Sequence, residues 1–199
     1  MNTTSTHTLT VSGSAIKKYL PALARLRIAV FRDYPYLYDG SLEYEEEYLQ
    51  IYSQSDETIF VLIFDGYEVV GASSGMPLKM ETEDVKKPFI EQNLPIDSIF
   101  YFGESVLLKP YRGQGFGKVF FDKREAHAQS LGYEYATFCG VIRPNNHPLK
   151  PNNYKPLDGF WRKRGYEKRD DMKTTFIWQD FDEDAESPKK MQFWMKRIL

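Results

Sequence analysis

Glu104-Ser105-Val106-Leu107-Leu108-Lys109-Pro110-Tyr111-Arg112-Gly113-Gln114-Gly115-Phe116-Gly117-Lys118 is the stretch on which the fold turns. Its first half closes a strand-like run from Ile99 to Leu108, and Lys109-Pro110 ends that run. Three glycines then alternate at 113, 115 and 117 before a segment, from about Gly117 to Leu131, that reads as a helix stopped by Gly132. Glycine allows a sharp turn and a close approach of backbone to ligand. A helix start adds unpaired N–H groups and partial positive charge, a combination that favours a phosphate. Ordinary strand–helix turns also use glycine, and two other anion motifs compete for the pattern. A P-loop requires Ser or Thr after Gly-Lys, whereas Gly117-Lys118 precedes Val119; a dinucleotide fingerprint requires its third glycine three positions after the second. Neither fits.

On the N-terminal side, Met1 to Thr8 reads as a polar lead and Leu9 to Val11 as a short strand. Ile16 to Phe31 is apolar-periodic, with Pro21 putting the helix start near Leu20, and Leu42 to Ser53 reads as a second helix. Thr58 to Phe64 and Tyr67 to Ser73 flank Asp65-Gly66, a hairpin signal. Lys79 to Pro95 is charged and irregular, with a short helix expected around Val85 to Glu91. On the C-terminal side, Tyr135 to Ile142 reads as a strand, Pro144 to Pro156 as a long non-helical connection and Leu157 to Arg164 as a short helix. Thr174 to Trp178 is expected as the last strand, Asp180 to Ser187 as an exposed acidic stretch, and Met191 to Leu199 as a short packed helix. Strands alternating with helices after a hairpin imply a mixed α/β sheet.

The chain has 199 residues, which fits one domain over residues 1–199. A formal net charge of −2 argues against a general nucleic-acid binder. The single cysteine, Cys139, excludes an internal disulfide and any multi-cysteine metal site. Met1 to Leu9 lacks the basic and apolar regions of a signal peptide, and no apolar run approaches the ~20 residues of a membrane span. A cytoplasmic protein without membrane partners is the expectation.

Arg112, Gly115 and Gly117, lying between an apolar strand end and a helix, resemble the hallmark of the GNAT superfamily of N-acetyltransferases: Arg or Gln, two residues, Gly, one residue, then Gly or Ala. The resemblance runs from about Ser98 to Tyr166, including Phe160-Trp161-Arg162-Lys163-Arg164-Gly165-Tyr166, similar to the family's helix and Gly-aromatic turn. It implies a mixed, mostly antiparallel sheet flanked by helices, with splayed central parallel strands. It also implies acetyl-CoA as co-substrate, no metal, and acetyl transfer to a primary amine, on a small molecule or a protein, by direct attack in a ternary complex. Backbone groups of Val106, Leu107 and Leu108 are then expected to pair with the pantetheine arm. The turn Arg112, Gly113, Gln114, Gly115, Phe116, Gly117 and Lys118 is expected to hold the pyrophosphate.

Two residues are assigned to catalysis. Glu104, on the cofactor strand and sharing a face with Val106 and Leu108, is the candidate base; the alternative is a structural carboxylate bonded to Arg143 or a backbone amide. The family tyrosine that reprotonates the CoA thiolate is replaced here by Trp161, whose indole N–H only donates a hydrogen bond. Tyr154 is the substitute acid, with water as the alternative. This departure keeps open a non-catalytic acyl-CoA-binding module on the same scaffold. Cys139 reads as an inert thiol and His127 as a core residue. His147 and Arg143 are candidates for substrate or phosphate contact, against surface roles. Glu43, Glu45, Glu46 and Glu47 suit either a cationic acceptor or a solvated helix face; Tyr34, Tyr36 and Tyr38 suit either an acceptor pocket or loop packing. An exposed Phe193-Trp194-Met195 cluster would suit a homodimer contact.

Overall fold

Ile59 to Asp65 (β2) explains the layering. Ile59, Val61 and Ile63 join one hydrophobic cluster, while Phe60, Leu62 and Phe64 join another. Side chains of a strand alternate faces, so a strand covered on both sides is a continuous apolar run. Phe120, Phe121 and Ala128 of α4 (Phe116–Ser130) cover the first face. Leu20, Leu23 and Leu26 of α1 (Leu20–Phe31), with Leu49 of α2 (Leu42–Leu49), cover the second. Val85 and Phe89 of α3 (Glu83–Glu91) close a third cluster against Ile99, Tyr101, Phe193 and Met195.

The computed structural model describes residues 6–199. The expected polar lead lies outside the described residues as far as Ser5; from Thr6 the chain is already strand β1 (Thr6–Val11). The remaining elements are β3 (Glu68–Pro77), β4 (Ile99–Tyr101), β5 (Ser105–Leu107), β6 (Tyr135–Val141), α5 (Asp158–Lys163), β7 (Glu167–Trp178) and β8 (Ser187–Arg197). The sheet runs β1-β2-β3-β4-β6-β8-β7, with β5 added to β3. Among the described residues only β4 and β6 pair in parallel; the other pairings are antiparallel. This is the expected mixed, mostly antiparallel sheet flanked by helices. Among the described residues no helix is long and apolar enough to cross a membrane.

Five expectations are corrected. The run Ile99 to Leu108 is two strands, because at Phe102–Glu104 the chain parts from β6 while keeping β3 on its other side. The tail is a strand and not a helix: Phe193 and Met195 face the α3 side while Trp194 faces the α4 side, a period of two that locks β8 between β6 and β7. Phe193, Trp194 and Met195 are therefore buried in the chain's own core and offer no dimer contact. The strand expected over Thr174 to Trp178 starts at Glu167 and is the last but one, with an irregularity between Lys168 and Lys173. Finally, Asp180 is not an exposed acid; it is buried against Arg143 and Lys189.

Candidate active site

The break between β4 and β5 creates the site. β4 pairs with β6 up to Tyr101 opposite Thr137, and Phe102 N–H donates to Thr137 O at 2.8 Å. β3 lies along the other edge throughout, through Pro77↔Phe100 and Met76↔Tyr101 and then Ser73↔Ser105, Ala72↔Val106 and Gly71↔Leu107. Beyond the break, Cys139 to Val141 of β6 pair, among the described residues, only with β8. Two parallel strands thus diverge, and their facing edges border a wedge. Arg124 of α4 sits at the break. Its guanidinium donates to Ser74 O at 3.0 Å, Glu104 O at 3.1 Å and Ser105 Oγ at 2.9 Å, and lies 4.2 Å over the Phe102 ring. Burial lowers its pKa to about 10.

At the open end of the wedge, β5 leads through a turn at Lys109–Tyr111 into the glycine segment and α4. Gly113 and Gly115 sit at φ +79° and +89°, the left-handed region that a side chain strains, and a Cβ on either would meet nothing within 4 Å. Gly117 is different: its φ is ordinary, and a Cβ would touch only Phe160 at 3.5 Å. Among the described residues, the N–H groups of Gly113, Gln114, Gly115, Phe116 and Gly117 find no protein acceptor. Five amides and a helix start, with no side chain over them, make a fitting cradle for a pyrophosphate. The neighbouring side chains are engaged elsewhere. Arg112 turns back to Leu107 O at 2.9 Å and to Asp33 at 3.2 Å, Gln114 donates to Pro110 O at 2.9 Å, and Lys118 pairs with Asp122. Val106 is fully buried and Leu107 and Leu108 partly so; Val106 pairs with Ala72, Leu107 O accepts from Arg112, Leu108 N–H donates to Val70 O, and Leu108 O accepts from Tyr111 N–H.

Across the break, towards α1, α2 and α3, lies a cavity of about 350 Å³ bordered by Gly103 and Glu104. Glu104 is buried; Oε2 accepts from Arg27 Nη1 at 2.7 Å, while Oε1 has no hydrogen-bond partner among the described residues. The alternative partner Arg143 is corrected to Arg27. Arg27 also donates through Nε to Glu45, so one guanidinium bridges two carboxylates. Glu81 lines the same cavity: burial, reinforced by the charge of Glu104, pushes it up to about 7 despite the bond from Thr82 N–H. Cys139 also borders the cavity, 3.3 Å from Tyr101 Oη, and burial pushes its thiol up to about 12, which keeps it protonated and unreactive.

The remaining candidates separate into two groups. Tyr36, Tyr38 and Glu45 reach the cavity. Tyr34 instead packs edge-on against Tyr154 with centroids 4.7 Å apart and lies 5.7 Å from His147, forming an aromatic group in the connection before α5. Tyr154 is half-buried, and burial raises its hydroxyl pKa. Arg143 belongs to neither group: it donates to Pro35 O and Tyr36 O at 2.7 Å each and pairs with buried Asp180, so it shapes the loop that carries Tyr36. His127 contacts Phe100 and Glu57 O, as a core residue would. Trp161 packs between Phe138 and Trp194, and a Cβ on Gly140 would lie 3.1 Å from its ring.

Arg27, Arg124 and Glu81 were missed by sequence reasoning. Arg27 sits four residues after Leu23, and Arg124 four after Phe120 and four before Ala128, so both lie on apolar helix stripes, a signal for a buried, partnered cation. Glu81 carries no such signal.

No family model and no curated protein matches the sequence. Solved structures do match. An N-acetyltransferase from Staphylococcus aureus Mu50 superposes with a TM-score of 0.62 at 10% identity, covering 97% of this chain and 99% of that one. The ribosomal-protein-alanine N-acetyltransferase from Brucella melitensis gives 0.60 at 14% identity, covering 95% and 99%. The PaiA N-acetyltransferase from Thermoplasma acidophilum, in complex with coenzyme A, gives 0.54 at 13% identity, covering 97% and 99%. Likeness over the full length of each chain, together with the diverging parallel strands, shows that this protein has the fold of the GNAT N-acetyltransferases.

Proposed function

We propose that the protein is an acetyl-CoA-dependent N-acetyltransferase that moves the acetyl group to a primary amine by direct attack in a ternary complex. The observation that carries this reading is the divergence of β5 from β6, with the unpaired amides of Gly113 to Gly117 at its open end and an acid-lined cavity across the break. Acetyl-CoA supplies an activated thioester. The edges of β5 and β6 would receive its pantetheine arm, and the glycine turn its pyrophosphate. The assembly is tested by calorimetric titration with acetyl-CoA, followed by free-thiol release over an amine panel. Tight binding without turnover on any amine would favour a non-catalytic acyl-CoA-binding module, the reading that Trp161 in the tyrosine position supports.

An alkylammonium with pKa near ~10.4 costs about 4–5 kcal/mol to deprotonate at pH 7, so a proton acceptor at the break matters. Glu104 is the proposed base, acting directly or through water, and Glu81 is its partner. The pair follows a known logic: Arg27 is the ion-pair partner of Glu104, burial reinforced by the charge of Glu104 raises Glu81, and a carboxyl near 7 is matched to general-base work at neutral pH. Glu104→Gln is expected to lower kcat about 100-fold with a saturating amine. The pH dependence carries the sign. Activity rises as Glu81 ionises, with an inflection near 7; Glu81→Gln removes that inflection, and Glu104→Gln, by deleting a neighbouring negative charge, moves it to lower pH. An unchanged profile in both variants would refute the pair.

Tyr154 is the proposed acid for the departing thiolate. Its hydroxyl, kept protonated by burial, stands in the connection before α5 and not on α5 where Trp161 lies. A thiolate with pKa near ~8.5 is a tolerable leaving group, so Tyr154→Phe is expected to lower kcat only about tenfold while the KM for acetyl-CoA stays within about twofold. Full activity in Tyr154→Phe would leave the protonation to water.

A further inference from the structure

We infer that the cavity beside Glu104 takes a small cationic amine, alkyl or arylalkyl, that carries no carboxylate. Four carboxyl groups line it, from Glu45, Glu81, Asp84 and Glu104, against one guanidinium, that of Arg27. That guanidinium is already committed. Nε donates to Glu45 and Nη1 to Glu104, and its carbon lies 5.1 Å from the Phe31 ring centroid and 4.7 Å from that of Tyr48. A substrate carboxylate entering here would find no unengaged cation in the wall and would lie among like charges. An ammonium finds the reverse. Buried Glu104 keeps one oxygen without a hydrogen-bond partner, and negative charge exceeds positive around the cavity.

The rest of the wall fits the body of such a molecule. Tyr36, Tyr38 and Tyr48 face it from the helical side, and Phe176, Ile177 and Trp178 of β7 from the other. Aromatic faces attract cations and accept methylenes, so carboxyl groups beside rings suit an organic ammonium better than a hydrated metal ion. A volume of about 350 Å³ lies at the small end of ligand sites, suited to a free amine of modest size. Of the acidic run Glu43 to Glu47, only Glu45 takes part; it is fully buried, while Glu43 and Glu47 are exposed and Glu46 half-buried. The inference rests on the transferase reading only for what happens to the amine once bound.

Two matched pairs test it, because each differs by one carboxylate: cadaverine against lysine, and phenethylamine against phenylalanine. Binding of each to the full-length protein is measured calorimetrically, with and without CoA, and turnover is measured with acetyl-CoA. The member lacking the carboxylate is expected to bind, and to show kcat/KM, at least ~100-fold better, since like-charge juxtaposition in a desolvated site is strongly disfavoured. Amino acids that match or beat their decarboxylated partners would overturn the inference. So would the absence of binding by all four, or a lysine-containing peptide preferred over cadaverine. Failure of acetyl-CoA to bind would overturn the transferase reading alone, because the amine titrations are read without turnover.

Discussion

Gly115→Glu is expected to weaken acetyl-CoA binding at least ~100-fold while leaving the protein folded. Gly115 caps α4 at φ +89°, and a side chain there costs about 1–2 kcal/mol of backbone strain. Nothing lies within 4 Å of the new Cβ, so no steric clash is added. The carboxylate is placed against the amides and partial positive charge of the helix start, where it stabilises the helix and offsets part of the strain. For the ligand the same placement is doubly unfavourable: the glutamate occupies the donors a pyrophosphate needs and repels its charge. Stability and affinity therefore move by very different amounts. Gly117→Ala is the control. It has no left-handed strain, and its methyl meets Phe160 at ordinary contact distance, so affinity within about threefold of wild type is expected. Calorimetric titration beside thermal unfolding of the three proteins checks both. Wild-type-like affinity in Gly115→Glu would remove the pyrophosphate from this turn.

What the sequence disclosed follows from where local rules and long-range packing agree. The turn Arg112 to Gly117 is legible because alternating glycines between a strand and a helix encode a backbone shape locally, and two of the three take up positive φ. Helix α1 is equally legible: Pro21 falls in its first turn and the apolar stripe does the rest. The divergence of β5 from β6 is not local. Ile99 to Leu108 has one continuous strand-like pattern, and nothing local in it marks Phe102, after which β6 is lost while β3 stays alongside. β8 was misread for a related reason. A run such as Met191-Gln192-Phe193-Trp194-Met195 fits a buried helix or a buried strand, and only the neighbours β6 and β7 choose between them. The acceptor cavity was the least legible part. Its wall draws on α1, α2, α3, β6 and β7, and its carboxyls at 45, 81, 84 and 104 share no spacing that a linear reading could detect.

Arg124→Leu is expected to destabilise the fold by about 3 kcal/mol and, in the molecules that fold, to weaken acetyl-CoA binding about tenfold. The guanidinium makes four hydrogen bonds, to Phe120 O at 3.1 Å, Ser74 O, Glu104 O and Ser105 Oγ, and it has no carboxylate partner in a salt bridge among the described residues. Leucine keeps apolar contact with Phe102 and Phe121 but donates nothing. Ser74 O retains a bond from Gly103 N–H and Glu104 O one from Ser74 N–H, so neither carbonyl is orphaned, and the loss is bounded by charge-assisted bonds worth ~1.5–3 kcal/mol each in isolation. Relief from burying a cation, whose pKa burial has already lowered to about 10, brings the net to the lower part of the sum. The functional effect has a separate origin. Without three donors spanning Ser74, Glu104 and Ser105, the pairing with β3 is left to oppose a relaxation in which β5 follows β4 along β6 and narrows the wedge that the pantetheine arm needs. Lysine at 124 keeps the charge but reaches fewer of these acceptors at once, so Arg124→Lys should recover part of the stability and little of the affinity. Urea denaturation and acetyl-CoA titration on both variants separate the two effects. Full affinity in Arg124→Leu would show that pairing with β3 alone holds β5 away from β6.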